Sequence, residues 1–325
     1  MPVPSTLPRA LRRAGLLLFV LLPAAAAGQD RQPPLGYGAM SINLEDVPYP
    51  HPVSFLSLEM YGQHVRMAYM DVAPTGTPNG RTVVLFHGFN FWGEYWEPTI
   101  EVLAREGYRV VVTDQIGYGR SSKPLIPYTL DDMAANTRHL LEALGVERAA
   151  IVGHSMGGML ASRFAFSFPE VTTHVAMVNQ VGLEDARLGR APRYTGDDGV
   201  SERSYESVRR NIERYFVTWK PEYEKFVEIH YGWTLSGDWP RMAEVRDRLS
   251  RIIQREPVVY DWPHIRSRAL VIGGMEDGPD YPELARRVAE SIPGARLELI
   301  PDVGHIPHLE SPAIFHQKLL AFLGS

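Results

Sequence analysis

A chain of 325 residues is too long for a minimal domain and too short for two large ones, which predicts one core domain carrying a sizeable insertion. With 45% hydrophobic and 22% charged residues and a net charge of -5, without any long single-sign block, it has no polyanion-binding arm, and nucleic acid is not an expected partner. The absence of cysteine excludes disulfides, a thiol nucleophile and a lipid-modified N-terminal cysteine.

Residues 1–27 depart from this composition. Arg9, Arg12 and Arg13 precede the apolar run Leu16 to Leu22, then Pro23 and Ala24 to Ala27, with no acidic residue before Asp30. The pattern predicts a signal peptide cut after Ala27, hence an exported protein, periplasmic or secreted. The run is shorter than the ~20 apolar residues that cross a bilayer, so no stable membrane span is expected after signal removal. Residues 28–52, rich in Gly and Pro, predict an irregular arm.

Regular structure is expected from Phe55, where Phe55 to Met60 and Val65 to Met70 flank Tyr61-Gly62-Gln63-His64 like the strands of a hairpin. Thr82 to Phe86 is a continuous β-branched and aromatic run, the mark of a strand buried on both faces. After it comes His87-Gly88-Phe89, in the position of an oxyanion-binding loop, with Trp92 and Trp96 close behind. Pro98 suits the first turn of a helix running to Gly107, and Val110 to Val112 is the next buried run. Thr129 with Asp132 forms a capping pattern, after which Met133, Thr137, Leu140, Leu141 and Leu144 line one helix face until Gly145.

Further strands are expected at Ala149 to Val152, Val175 to Val178 and Ala269 to Ile272, with Leu297 to Ile300 as an edge strand. Buried strands alternating with amphipathic helices predict an α/β fold with a mostly parallel central sheet and helices on both faces. The alternation stops over residues 183–262, which hold 12 of the 33 aromatic residues, Trp219, Trp233, Trp239 and Trp262 among them. This stretch is expected to form a helical cap inserted between two strands, dividing the core into 28–182 and 263–325. Gly189, Pro192 and the turn cluster Thr195 to Gly199 predict a mobile approach to it.

The chemistry concentrates after the strand Ala149 to Val152. Gly153-His154-Ser155-Met156-Gly157 matches G-x-S-x-G in the required context of strand, sharp turn and helix. A serine there needs a base to take its proton and a carboxylate to orient that base, in the chain order Ser, acid, His. Asp277 and His305 each follow a predicted parallel strand, where open α/β sheets bind ligands. Glu276 and Asp280 are alternatives to Asp277 as the acid. The backbone N–H groups of Met156 and Phe89 are the expected oxyanion donors. His305 and His308 have the spacing of metal ligands, but no other dense His, Asp or Glu cluster accompanies them, and neither a metal nor a cofactor is implied. Trp92, Trp219, Trp233 and Trp239 are candidates for an aromatic substrate pocket, whereas core packing suits Trp96 better.

Taken together, His87-Gly88-Phe89, the segment Asp114 to Ser122, the elbow Gly153 to Gly158, Asp277 and Gly304-His305 resemble the α/β-hydrolase superfamily, specifically its lidded ester and carbon–carbon bond hydrolases, over roughly residues 53–182 and 263–325. The resemblance implies the α/β-hydrolase fold, and structural roles for Asp114, Gly117, Gly119 and Ser122. Ser155 departs from the Asp nucleophile of haloalkane dehalogenases and epoxide hydrolases, and His87-Gly88-Phe89-Asn90 departs from the H-G-G-P-G of proline iminopeptidases. The expected activity is that of a carboxylesterase on a small ester with an apolar or aromatic portion. The rivals are a lactonase or carbon–carbon bond hydrolase with the same triad, perhydrolysis as a side activity, and a ligand-binding receptor that keeps the fold. Oligomeric state is not legible.

Overall fold

The computed structural model describes residues 33–34, 36–189 and 204–324; the expected signal peptide, Pro192 and the Thr195 to Gly199 turn lie outside them. The strands are β1 (Val53–Met60), β2 (Gln63–Val72), β3 (Thr82–Phe86), β4 (Arg109–Thr113), β5 (Ala149–His154), β6 (Thr172–Val178), β7 (Arg268–Gly274) and β8 (Arg296–Ile300). They form one eight-stranded sheet in the order β1-β2-β4-β3-β5-β6-β7-β8. β1 and β2 are antiparallel and β2 runs antiparallel to β4, while all pairs from β4 to β8 are parallel. The hairpin between β1 and β2 turns on two residues only, Tyr61 (φ 49°) and Gly62 (φ 72°), a left-handed pair that matches strand twist.

Alternate strand residues feed two separate cores, as a period of two requires. Val83, Leu85, Val110, Val112, Val152 and Ile272 pack with α1 (Glu97–Arg105) and α10 (Pro312–Leu323) on one face. Val84, Phe86, Val111, Ile151, Met177 and Val271 pack with α2 (Leu130–Ala143), α3 (Met156–Ser167) and α8 (Tyr281–Ser291) on the other. The expected cap on α2 is present, with Thr129 Oγ1 accepting from the Asp132 N–H at 3.0 Å. β8 closes the far edge beside β7 and is only partly buried.

Between β6 and β7 lie α4 (Ala186–Gly189), α5 (Tyr205–Glu213), α6 (Glu224–Leu235) and α7 (Trp239–Arg255). The described part of the N-terminal arm, up to Pro52, forms no helix or strand but is firmly docked. It buries Ile42, Leu44 and Val47, and it is tied to α6 by Met40 N–H to Gly232 C=O (3.1 Å) and Trp233 Nε1 to Ser41 C=O (3.2 Å). Tyr49 then donates to Asp114 Oδ2 at 2.7 Å; this buried carboxylate also accepts from the Gly93 and Arg120 N–H groups. Tyr49→Phe keeps the ring but removes a hydrogen bond to a charge. We expect a loss of about 1–2 kcal/mol, read as a lower urea midpoint at unchanged slope. No helix among the described residues is long and apolar enough to cross a membrane.

Several histidines are buried, and burial pulls His230 down to about 3 and His316 to about 4. Both are therefore neutral in the folded chain, whereas the unfolded chain takes up protons near pH 6.5. Their stability contribution is complete above about pH 6.5 and is lost as pH falls toward 4. Glu94, Glu256, Asp261 and Glu310, which burial raises, act in the opposite sense, so the informative measurement is a difference. His316→Gln should flatten the fall in urea-unfolding free energy between pH 6.5 and 4.5 by up to about 1.4 kcal/mol per pH unit. An unchanged slope would show that His316 is not held neutral.

Candidate active site

β5 runs two residues beyond its apolar stretch, through Gly153 and His154, and the chain turns into α3 at Ser155 with φ 57° and ψ -120°. A side chain at positive φ is strained, and the surrounding hydrogen bonds hold it there. Ser155 N–H donates to Val178 C=O at 2.9 Å, and Ser155 C=O accepts from Gly158 N–H at 2.9 Å. The neighbouring glycines are required by space: a Cβ on Gly153 would lie 1.9 Å from Gly157 O, and one on Gly157 would lie 2.5 Å from Phe86 O.

The loop after β3 abuts this turn, since a Cβ on Gly88 would lie 3.1 Å from Ser155 Cβ. His87 shapes the loop from beneath. Its Nε2 accepts from Gln115 N–H at 3.1 Å, so its Nδ1 carries the proton and donates to Gly88 C=O at 2.8 Å. Among the described residues, neither the Phe89 nor the Met156 N–H donates to a protein acceptor. Met156 opens α3, so its N–H belongs to the positive end of that helix.

His305 and Asp277 meet at the carboxyl ends of β7 and β8. His305 Nδ1 lies 2.8 and 2.9 Å from the two Asp277 carboxylate oxygens, while Glu276 and Asp280 are exposed and make no bond to His305. The acid and the histidine of the expected triad are thereby brought together, whereas no hydrogen bond joins His305 to the Ser155 hydroxyl among the described residues. With Nδ1 facing the carboxylate, Nε2 is the ring nitrogen left for chemistry. Asp277 Oδ2 also accepts from Asn179 Nδ2 at 2.8 Å, and Asn179 Oδ1 in turn accepts from Gly274 N–H at 3.0 Å. Asn179 stands at φ 38° just after β6, at the carboxyl end of the sheet, and no local motif in the sequence marks it.

The model of the alpha/beta hydrolase family matches residues 83–317, more than two thirds of the chain. The chain belongs to the alpha/beta hydrolase family. Its structure is similar to that of a probable hydrolytic enzyme from Pseudomonas aeruginosa PAO1, with 37% identity, a TM-score of 0.83, and coverage of 88% of this chain and 99% of that one. It is 26% identical over 253 residues to the protein named "Putative carbamate hydrolase RutD" from Variovorax paradoxus, covering 76% of this chain and 93% of the relative. It is also 26% identical over 273 residues to the 2-hydroxy-6-oxononadienedioate/2-hydroxy-6-oxononatrienedioate hydrolase of Paraburkholderia phymatum, covering 81% and 92%. Family membership makes the chain a hydrolase.

Within this alpha/beta hydrolase, a buried relay joins the loops around Ser155. Tyr95 Oη accepts from Gly88 N–H (3.0 Å) and lies 2.9 Å from His154 Nδ1; His154 Nε2 lies 2.7 Å from His305 C=O. One proton arrangement satisfies all three contacts: Tyr95 donates to His154 Nδ1, and His154 Nε2–H donates to the His305 carbonyl. Burial, and then the proximity of His305, keep His154 well below the usual histidine range, so it is neutral as this wiring needs. Tyr215 holds His305 from the other side, accepting its N–H at 3.0 Å and stacking on its ring at 5.1 Å and 27°. Glu310 accepts from the Gly304 and Val217 N–H groups and so anchors both loops. These partners are 59 to 151 residues apart in the two longest links of the relay, too far for any spacing rule to expose them.

A cavity of about 530 Å³ opens beside Asp277 and His305, with Val181, Leu183, Ile253 and Leu284 among its walls. Trp92, Trp219, Trp233 and Trp239 are not among its lining residues. Trp92 is buried against Phe226, His230 and Trp233, and Trp219 lies under the Arg209 guanidinium at 3.5 Å. Trp233 donates to Ser41, and Trp239 borders a separate cavity of about 30 Å³ with Asn90 and Arg246. These rings pack in the core that the inserted segment shares with one face of the sheet, where Trp92, Trp233 and Trp239 are buried and Trp219 rests against them. Trp96 is fully buried as expected, stacked on His308 at 4.1 Å.

Proposed function

We propose that this hydrolase is a serine carboxylesterase working through an acyl-enzyme, with Ser155 as nucleophile, His305 as base and Asp277 as orienting acid. The observation that carries the reading is the conjunction of a strained Ser155 against the Gly88 loop with a His305 whose Nδ1 is held by Asp277. Ser155 Oγ adds to the ester carbonyl carbon while its proton passes to His305 Nε2. The Asp277 carboxylate stabilises the imidazolium, and the Phe89 and Met156 N–H groups receive the oxyanion. Collapse expels the alcohol, which takes the proton from His305. Water, deprotonated by His305, then releases the acid and restores Ser155.

The aliphatic side chains around the cavity beside His305 favour an apolar portion on the substrate. The same groups also serve attack on a carbamate, the substrate class in the name of one relative, or on a carbon–carbon bond next to a carbonyl. Export belongs to the same proposal and is supported by the charge and hydropathy pattern of residues 1–27. The test is labelling with a fluorophosphonate, followed by a panel of nitrophenyl esters, lactones, carbamates and diketones. A single adduct on Ser155 with turnover of short esters is expected; no adduct, or one elsewhere, overturns the nucleophile. Tight ligand binding without any product would favour the receptor reading.

A further inference from the structure

A second cleft, of about 590 Å³, lies between the N-terminal arm, the β1–β2 hairpin, the loop after β4 and the start of α7. It shares no lining residue with the cavity beside His305. In the strand order it sits on the β1–β2–β4 side of the sheet, whereas Asp277 follows β7 beyond the elbow. Its walls carry Arg66, Arg120, Lys123 and Arg241 against only Glu45 and Asp238, a positive concavity in a chain of net charge -5.

None of the four cations has a carboxylate partner among the described residues. Arg120 donates to Leu44 C=O (3.3 Å) and Val47 C=O (2.7 Å), and Arg241 donates to Lys123 C=O at 3.2 and 2.9 Å. Lys123 Nζ donates to Gly119 C=O (2.7 Å), Ser121 C=O (2.9 Å) and Asn43 Oδ1 (3.3 Å). The Arg66 guanidinium lies over the Phe55 ring, 4.7 Å from its centre. Elsewhere on the molecule Arg109, Arg163, Arg209 and Lys225 all sit on carboxylates. Neutral acceptors fix a cation's position without cancelling its charge, so this cleft holds preorganised cations, the Arg66, Arg120 and Arg241 guanidinium groups foremost, with no carboxylate in direct contact among the described residues. Burial pulls the Lys123 ammonium down to about 7, and a bound anion would favour its charged form.

We propose that this cleft binds the phosphate group of a small ligand or lipid headgroup, at a site separate from Ser155. Cations placed on several walls suit a tetrahedral anion with oxygens on all sides better than a planar carboxylate, and the volume lies within the roughly 300–1,000 Å³ of small-molecule sites. The proposal does not depend on the reaction at Ser155.

Calorimetric titration of the full chain with inorganic phosphate and glycerol phosphate, at fixed ionic strength and with glycerol as control, is the first arm. Co-flotation with phosphatidylglycerol-containing vesicles, against phosphatidylcholine alone, is the second. Saturable binding is expected in at least one arm. Binding in the first assigns a soluble phosphate ligand, and binding in the second alone assigns a headgroup. The double substitution R66A/R241A, at two exposed side chains, should weaken binding by at least about tenfold and leave ester turnover unchanged. E45Q/D238N should strengthen it. Absence of saturable binding in both arms, or binding that neither double variant alters, overturns the site.

Discussion

Ser155→Ala is expected to lower kcat on the best ester substrate by about 10⁴-fold or more, because removal of the proposed nucleophile would leave only binding and oxyanion stabilisation. Stability should change by less than about 0.5 kcal/mol. Alanine meets the same strain at φ 57° as serine does, and no described residue loses a hydrogen-bond partner with the Ser155 hydroxyl. The substrate Kd, measured by binding to the inactive variant, should stay near the wild-type KM if acylation is slow relative to dissociation. Steady-state turnover and urea unfolding of the same preparation separate chemistry from folding. Wild-type turnover in a folded Ser155→Ala variant would remove Ser155 from the mechanism.

Asp277→Asn is the second large effect expected, again about 10⁴-fold in kcat. The carboxylate now accepts from two donors, His305 Nδ1 and Asn179 Nδ2. An amide offers only one oxygen. Whichever way it turns, its NH₂ either opposes Asn179 Nδ2 or faces His305 Nδ1, and in the latter case it favours the tautomer whose Nε2 carries the proton and is no longer a base. Glu276→Gln and Asp280→Asn, at exposed side chains off the His305 ring, should keep turnover within about twofold. If one of them were to collapse activity while Asp277→Asn did not, the acid would have to be reassigned.

Much of this molecule was legible in the chain itself, because the relevant signals are local. Runs such as Val83-Val84-Leu85 and Ala150-Ile151-Val152 announce strands buried on both faces, since each side chain enters one of two cores and neither face tolerates a polar residue. Thr129 with Asp132, and Gly153 with Gly157, state their own geometry: one is a cap within a single turn, the other a steric demand between residues four apart. Within the expected order Ser155, Asp277, His305, the meeting of Asp277 with His305 could be read, because the parallel sheet delivers the ends of successive strands to one edge.

Tertiary structure alone decided which of three neighbouring acids reaches His305, since Glu276, Asp277 and Asp280 all carry a carboxylate and their loop brings only the one on Asp277 to the ring. It also decided the setting of the site: Asn179 behind Asp277, Tyr215 on the His305 ring, and the Tyr95–His154 relay. It placed the tryptophans of the inserted segment in packing rather than in the cavity beside Asp277, and it gathered four cations, none with a carboxylate partner among the described residues, from the hairpin, the loop after β4 and α7 into one cleft. The sequence by itself thus determined the hydrolase fold and the residue types expected at its chemical centre, through periodicity and steric rules that act within a few residues. What surrounds that centre depends on contacts between residues scores of positions apart, and such contacts exist only once the sheet and its helices have packed.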